Sequence, residues 1–223
     1  MTDHQARRPA WGFRVAVTLV VLAVLAVAGL AAWQFWWAGR QAVANGEQVS
    51  SKYLTACPVD QAPTASAPVL PAPWSTDSPA TGDVIGLLTL PGATTSWPIK
   101  AGVDDLTDAV GWYQQTSAPG QLGNMAVVGS RLMSGGPFGN ILDLNLGDEV
   151  MVVTCDMQYT YTVKAAPRDL TVQPDATWVL DSVPGHSGVL PTDAWLTLIA
   201  NQDVLPSPDR AVGFAQLTSM APR

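Results

Sequence analysis

From Val15 to Gly39 the chain runs 25 positions without a charged residue. Coiled as an α-helix, that run is about 37 Å long at 1.5 Å per residue, and a bilayer core asks for about 20 residues. The stretch VAVTLVVLAVLAVAGLAAW is apolar on every side, as lipid demands of a lone spanning helix. Trp33, Phe35, Trp36 and Trp37 come next, placed as an aromatic belt at the far interface. Arg7, Arg8 and Arg14 precede the run and only Arg40 lies close behind it. The positive-inside bias therefore predicts a cytoplasmic N-terminus and an exported remainder. A cleaved signal peptide, cut near Ala26-Val27-Ala28, is the competing reading. The length of the run and its tryptophans fit an anchor better, and both readings export the C-terminal remainder of the chain. The expected organisation is a cytoplasmic tail over 1–14, a transmembrane helix over 15–39, a stalk and linker over 40–81, and one domain over 82–223.

Charge divides along the same line. Arg7, Arg8, Arg14 and Arg40 against Asp3 leave residues 1–40 at +3; the whole chain is −7, so the remainder carries −10. An acidic exported part argues against nucleic acid and anionic lipid head groups as partners. Residues 60–81 read DQAPTASAPVLPAPWSTDSPAT, a composition that predicts an extended spacer holding the domain away from the membrane, with Trp74 solvated. Cys57 falls in the stalk and Cys155 in a predicted strand. An exported pair permits a disulfide, but the expectation from these contexts is a buried or free thiol. No CxxC or Cys/His cluster suggests a metal, and no cofactor is expected.

Beyond Gly82 the sequence is punctuated into short apolar runs. Val84–Leu90, Trp97–Val103, Met125–Gly129, Asp148–Thr154, Tyr159–Ala165, Trp195–Ala200 and Ala211–Leu217 read as strands. Asp104–Val110 reads as a short helix capped by Asp104 or Asp105, with Asp108 adding to an acidic cluster at its start. Seven or eight short strands with turn signals predict a mainly β fold, a closed barrel or a sandwich.

The order of segments resembles the sortases, the cell-wall transpeptidases of Gram-positive bacteria, in the manner of the actinobacterial classes E and F. IGLLTLPGATTSWPIKAG is similar to that family's first two strands. AVGWYQQTSAPGQLGNMAVVGSR is similar to the segment leading into the turn that holds the catalytic histidine. SGGPFGNILDLNLGDEVMVVT and WLTLIAN come after it in order, the latter resembling the strand that ends in the catalytic cysteine, and Arg210 stands nine residues after Asn201 where the family has its arginine. The resemblance implies a sortase-like closed β-barrel of seven to eight strands behind one transmembrane helix. It also implies a peptide sorting motif or surface protein as ligand, with an active sortase or a pilin as further candidate partners.

The chain departs from the family at the chemistry. Ser130, in Gly129-Ser130-Arg131, stands at the histidine place, and Asn201 stands at the cysteine place; only Arg210 is retained. A thioester needs a thiolate. A carboxamide is not ionisable near neutrality and is not appreciably nucleophilic. A serine hydroxyl does not shuttle protons as imidazole does. Arg210 can still donate to a carbonyl or oxyanion. The resemblance therefore implies a binding groove bordered by Ser130, Arg131, His186, Asn201 and Arg210, without turnover. The alternative is an unorthodox transpeptidase or hydrolase, with Cys155 as a relocated thiol or Ser130 served by His186. A third reading keeps only the barrel, its cleft filled by side chains.

Overall fold

The computed structural model describes residues 10–57, 78–104, 106, 108–131, 136–203 and 207–223, the backbone alone at 10–13, 35, 36, 38 and 39. The expectations for the N-terminal tail before residue 10, for the belt side chains of Phe35 and Trp36, for Asp105 as a cap, and for the Pro-rich spacer with Trp74 over 58–77 lie outside the described residues. Two compact units are present, Met1–Ala38 and Gly39–Arg223.

The first unit is described by helix α1, which runs unbroken over Ala10–Ala56. Its Arg14–Gln34 portion is long and apolar enough to cross a membrane, and none of it is buried. Among the described residues it is the one helix that meets that test.

The second unit contains the C-terminal part of α1 and nine strands. These are β1 Val84–Thr89, β2 Trp97–Ala101, β3 Val110–Trp112, β4 Gly123–Val128, β5 Glu149–Val153, β6 Met157–Ala165, β7 Thr171–Val172, β8 Ala194–Asn201 and β9 Arg210–Pro222. Eight of them pair in the ring β6-β5-β1-β2-β3-β4-β8-β9, and β9 closes it by pairing back onto β6; the two-residue β7 adds to β9. Closure leaves the ring without free edges. Leu88, Ile99, Met125, Val150, Leu196 and Leu198 are among the side chains that fill its interior. In β8 the period of two is plain: Leu196, Leu198 and Ala200 point into this core, while Thr197, Ile199 and Asn201 take the outer face.

A second, smaller apolar cluster covers that outer face. Val179, Ile199 and Val212 are buried there, with Tyr113, Trp178 and Phe214 packed around them. The one-turn 3-10 segment Thr177–Leu180 supplies the cover. It is held by buried polar bonds: Asn124 Nδ2 donates to the Val179 carbonyl at 2.9 Å, and Thr197 Oγ1 donates to Asn124 Oδ1 at 2.6 Å.

Three sequence expectations need correction. The helix expected over Asp104–Val110 is not there at the described positions: Asp104, Asp108 and Ala109 lie in bends and Val110 opens β3. β3 runs parallel to β2 with Val110 beside Ile99, so the segment serves as a connection that turns the chain back by about two residues of strand, roughly 7 Å. Asp108 is instead paired with Lys100, Nζ to Oδ1 at 2.6 Å. Second, β3 and β7 are strands that the sequence does not announce, because three and two residues are too few to show a period.

The third correction concerns the stalk. Residues 40–57 pack on the barrel. Ala42 is buried, Val43 packs on the core, Ser50 Oγ donates to the Ser96 carbonyl at 3.0 Å, and the Tyr53 hydroxyl donates to the Ile85 carbonyl at 3.2 Å. Gly46 is required by the closeness of this approach: a Cβ there would lie 2.9 Å from the Trp97 ring and 3.2 Å from the Asp108 carbonyl. The docked helix brings Cys57 to the β5–β6 turn, where it is disulfide-bonded to Cys155, with Cα atoms 5.1 Å apart. The expectation of unpaired thiols fails because sequence alone does not reveal that residues 40–57 pack on the barrel.

Candidate functional site

β4 runs parallel to β8, with Val128 opposite Ile199, and the Gly129 amide donates to the Ile199 carbonyl at 3.0 Å. Continuing that register sets Ser130 beside Asn201. On the other side Asn201 is the direct partner of Arg210 across the antiparallel β8–β9 pair, where facing Cα atoms are about 4.5–5.5 Å apart. Ser130, Asn201 and Arg210 thus form one row on the outer face of three adjoining strands. Two residues further along each strand lies an apolar row, Val128, Ile199 and Val212.

The two rows differ in access. Asn201 is exposed and Ser130 and Arg210 are half-buried, whereas Ile199 keeps 6% of its surface and Val212 none. Of the two rows, the polar one at the rim is the more open. Gly129 fixes the backbone entering it, since a Cβ there would sit 2.7 Å from the Phe138 ring.

Two guanidinium groups flank Asn201. Arg131 Nη1 donates to the Asn201 carbonyl at 2.9 Å and to the Gln202 carbonyl, bracing the turn out of β8. Arg210 Nη1 donates to the carbonyls of Ser207, Pro208 and Asp209 at 3.1, 2.9 and 3.1 Å. Burial pushes the Tyr113 phenol above its ordinary range, with the Arg210 charge opposing that rise.

The remaining sequence candidates lie elsewhere. His186 borders a cavity of about 270 Å³ shared with Lys164, Pro184, Trp195 and Phe214. Trp195 is six residues from Asn201 along β8, about 20 Å of strand, so His186 sits toward the far end from the polar row. Its ring Nδ1 lies 3.2 Å from the Pro184 carbonyl. Cys155 is held in the disulfide. Gln202 and Ser207, which flank the row, were not legible as site residues, because a glutamine and a serine in a loop carry no spacing signal.

An eight-stranded barrel presenting this row beside a 3-10 cover is a sortase-type architecture. The Sortase domain model matches residues 88–218, more than half of the chain, and the chain belongs to the sortase family. Among solved structures it is similar to the SrtA sortase of Actinomyces oris, at 28% identity over 66% of this chain and 89% of that one, with a TM-score of 0.59. It is also similar to sortase E of Streptomyces avermitilis, at 30% identity over 64% and 93% of the two chains and a TM-score of 0.56. Sortase E1 of Streptomyces coelicolor, solved with a tripeptide in the active site, is 27% identical over 65% of this chain and 94% of that one, with a TM-score of 0.57. No curated protein matches.

Proposed function

We propose that this chain is a membrane-anchored, non-catalytic member of the sortase family that binds a peptide of the sorting-signal class at the Ser130–Asn201–Arg210 row. The observation that carries the reading is the register of that row: a carboxamide and a hydroxyl face the arginine where a thiol and an imidazole would be needed. Acyl transfer requires a nucleophile that ionises or is deprotonated in place, and neither group does so near neutrality. The tripeptide held by the Streptomyces coelicolor relative supports the choice of ligand class. The unorthodox-enzyme reading loses support, because the Cys155 sulfur is committed to Cys57 and His186 borders a cavity at Trp195, which lies about 20 Å of strand from Asn201.

For orientation, the N-terminus is cytoplasmic and the barrel is outside. The arginine bias before the span supports this. The Cys57–Cys155 bond supports it independently, since such bonds persist in oxidising compartments.

The test uses the full chain in lipid nanodiscs with fluorescent peptides carrying a cell-wall sorting signal. Saturable binding without peptide cleavage above the uncatalysed rate is expected. If no sorting peptide, pilin or active sortase binds saturably, the binding half fails; if cleavage appears, the non-catalytic half fails.

A further inference from the structure

The side-chain atoms that are shut from solvent without a hydrogen-bond partner, among the described residues, are Arg131 Nε, Gln202 Oε1 and Ser207 Oγ. All three flank the candidate row. Arg131 is bonded to the Asn201 and Gln202 carbonyls, and the Ser207 carbonyl accepts from Arg210. Native proteins keep such orphans rare, and a concentration of them at one place calls for a ligand, ion or water to complete it. Each belongs to a half-buried side chain, so a small rotation presents the atom to the rim.

The charges at the same place are also uncompensated. The ion pair found among the described residues is Lys100–Asp108, so neither Arg131 nor Arg210 has a carboxylate of those residues within 4.0 Å. Asp209, the near acid on the loop, has Oδ1 occupied by Gln173 Nε2 at 2.6 Å. In a family member with a thiolate, negative charge would sit where Asn201 now stands. Here the carboxamide is neutral, and two fixed cations stand beside it without an anion.

We propose that the row is a carboxylate site, and that its ligand is a peptide ending in a free C-terminal carboxylate. This rests on the peptide-binding reading above and narrows it. One carboxylate oxygen accepts from Arg131 Nε–H and the other from Ser207 Oγ–H, with Arg210 supplying the second charge. The last peptide N–H of the ligand donates to Gln202 Oε1. That set of two acceptors and one donor is what a chain terminus offers. The next row inward offers no such partners, since Ile199 and Val212 there are apolar and covered.

Two pools of N-acetylated random tetrapeptides test the assignment, one with C-terminal acids and one with C-terminal amides. Each is equilibrated with the full-length chain in nanodiscs, and retained peptides are counted by mass spectrometry. Acids are expected to be retained at least about tenfold better than amides. The preference should vanish in Asn201→Asp, which sets a carboxylate against the ligand's own, and in Arg210→Gln. Asn201 is exposed, so Asn201→Asp keeps the fold and carries the test even if Arg210→Gln misfolds. Equal retention of acids and amides overturns the carboxylate site while leaving peptide binding intact. Retention of neither pool also overturns the carboxylate site, and the sorting-peptide titration then decides peptide binding separately.

Discussion

At the docked part of α1, Ser50, Tyr53 and Cys57 each reach the barrel through a bond already made. At the rim of β4, β8 and β9, Arg131 Nε, Gln202 Oε1 and Ser207 Oγ are shut from solvent with none. The first region is complete as it stands, and its contacts act on stability. The second is incomplete, and unsatisfied polar groups cost about 1–3 kcal/mol each until something supplies their partners. The difference separates contacts that hold the fold from the row proposed to bind a ligand. Scaffold positions are those that gain nothing from a ligand, and site positions are those that do.

The largest expected effect breaks the contrast at the rim. The double substitution Ser130→His and Asn201→Cys restores a thiol and an imidazole beside Arg210. Loss of such groups costs on the order of 10⁴–10⁶ in rate, so cleavage of a sorting peptide should rise at least about 10²-fold over the parent. The single substitutions should stay near background. Liquid chromatography of the peptide products reads this directly.

The next effect is on the clamp. Cys57→Ser with Cys155→Ser opens a bond that joins residues 98 apart in sequence, and should cost about 2–4 kcal/mol in urea unfolding monitored by tryptophan fluorescence. Peptide binding at the rim should be unchanged. Smaller again is Thr197→Val, which leaves the Asn124 carboxamide and the Val179 carbonyl short of a donor on the outer face. It should cost about 1–3 kcal/mol and loosen the Thr177–Leu180 cover, so hydrogen exchange there should quicken.

The smallest change near neutral pH comes from the phenols. Burial raises all four tyrosines, Tyr53, Tyr113, Tyr159 and Tyr161, above their ordinary value. An acid whose folded pKa exceeds its unfolded one binds more protons when folded. Its contribution is therefore whole below the unfolded value, about pH 10, and is lost as pH rises toward the folded value. Between about pH 7 and 9 stability should not depend on the tyrosines. Phenolate absorbance of the folded chain should lag that of the urea-unfolded chain above about pH 10.

The barrel is legible in the sequence through short apolar runs bounded by turn residues, of which β5 and β8 are two. The row is legible because Ser130, Asn201 and Arg210 fall at ordered places in recognisable segments, and the register puts those three on one face. The place of His186 beside Trp195 was not legible, because position in a loop does not fix which end of a strand it borders. The docking of α1 was hidden for a different reason. Ala42, Gly46 and Ser50 are small residues that mark a close helix contact only once the partner, Trp97, is known. The orphan atoms could not be read at all, since burial without a partner is a property of three dimensions.

The proposed non-catalytic reading requires that no described group at the rim hold an acyl chain. Intact-protein mass spectrometry of the full chain after incubation with a sorting-signal peptide tests it most directly. The unmodified mass is expected at every time point, with the peptide recovered whole. A covalent adduct on any residue of the folded chain, whether Ser130, Asn201 or a cysteine freed from the Cys57–Cys155 bond, would contradict it.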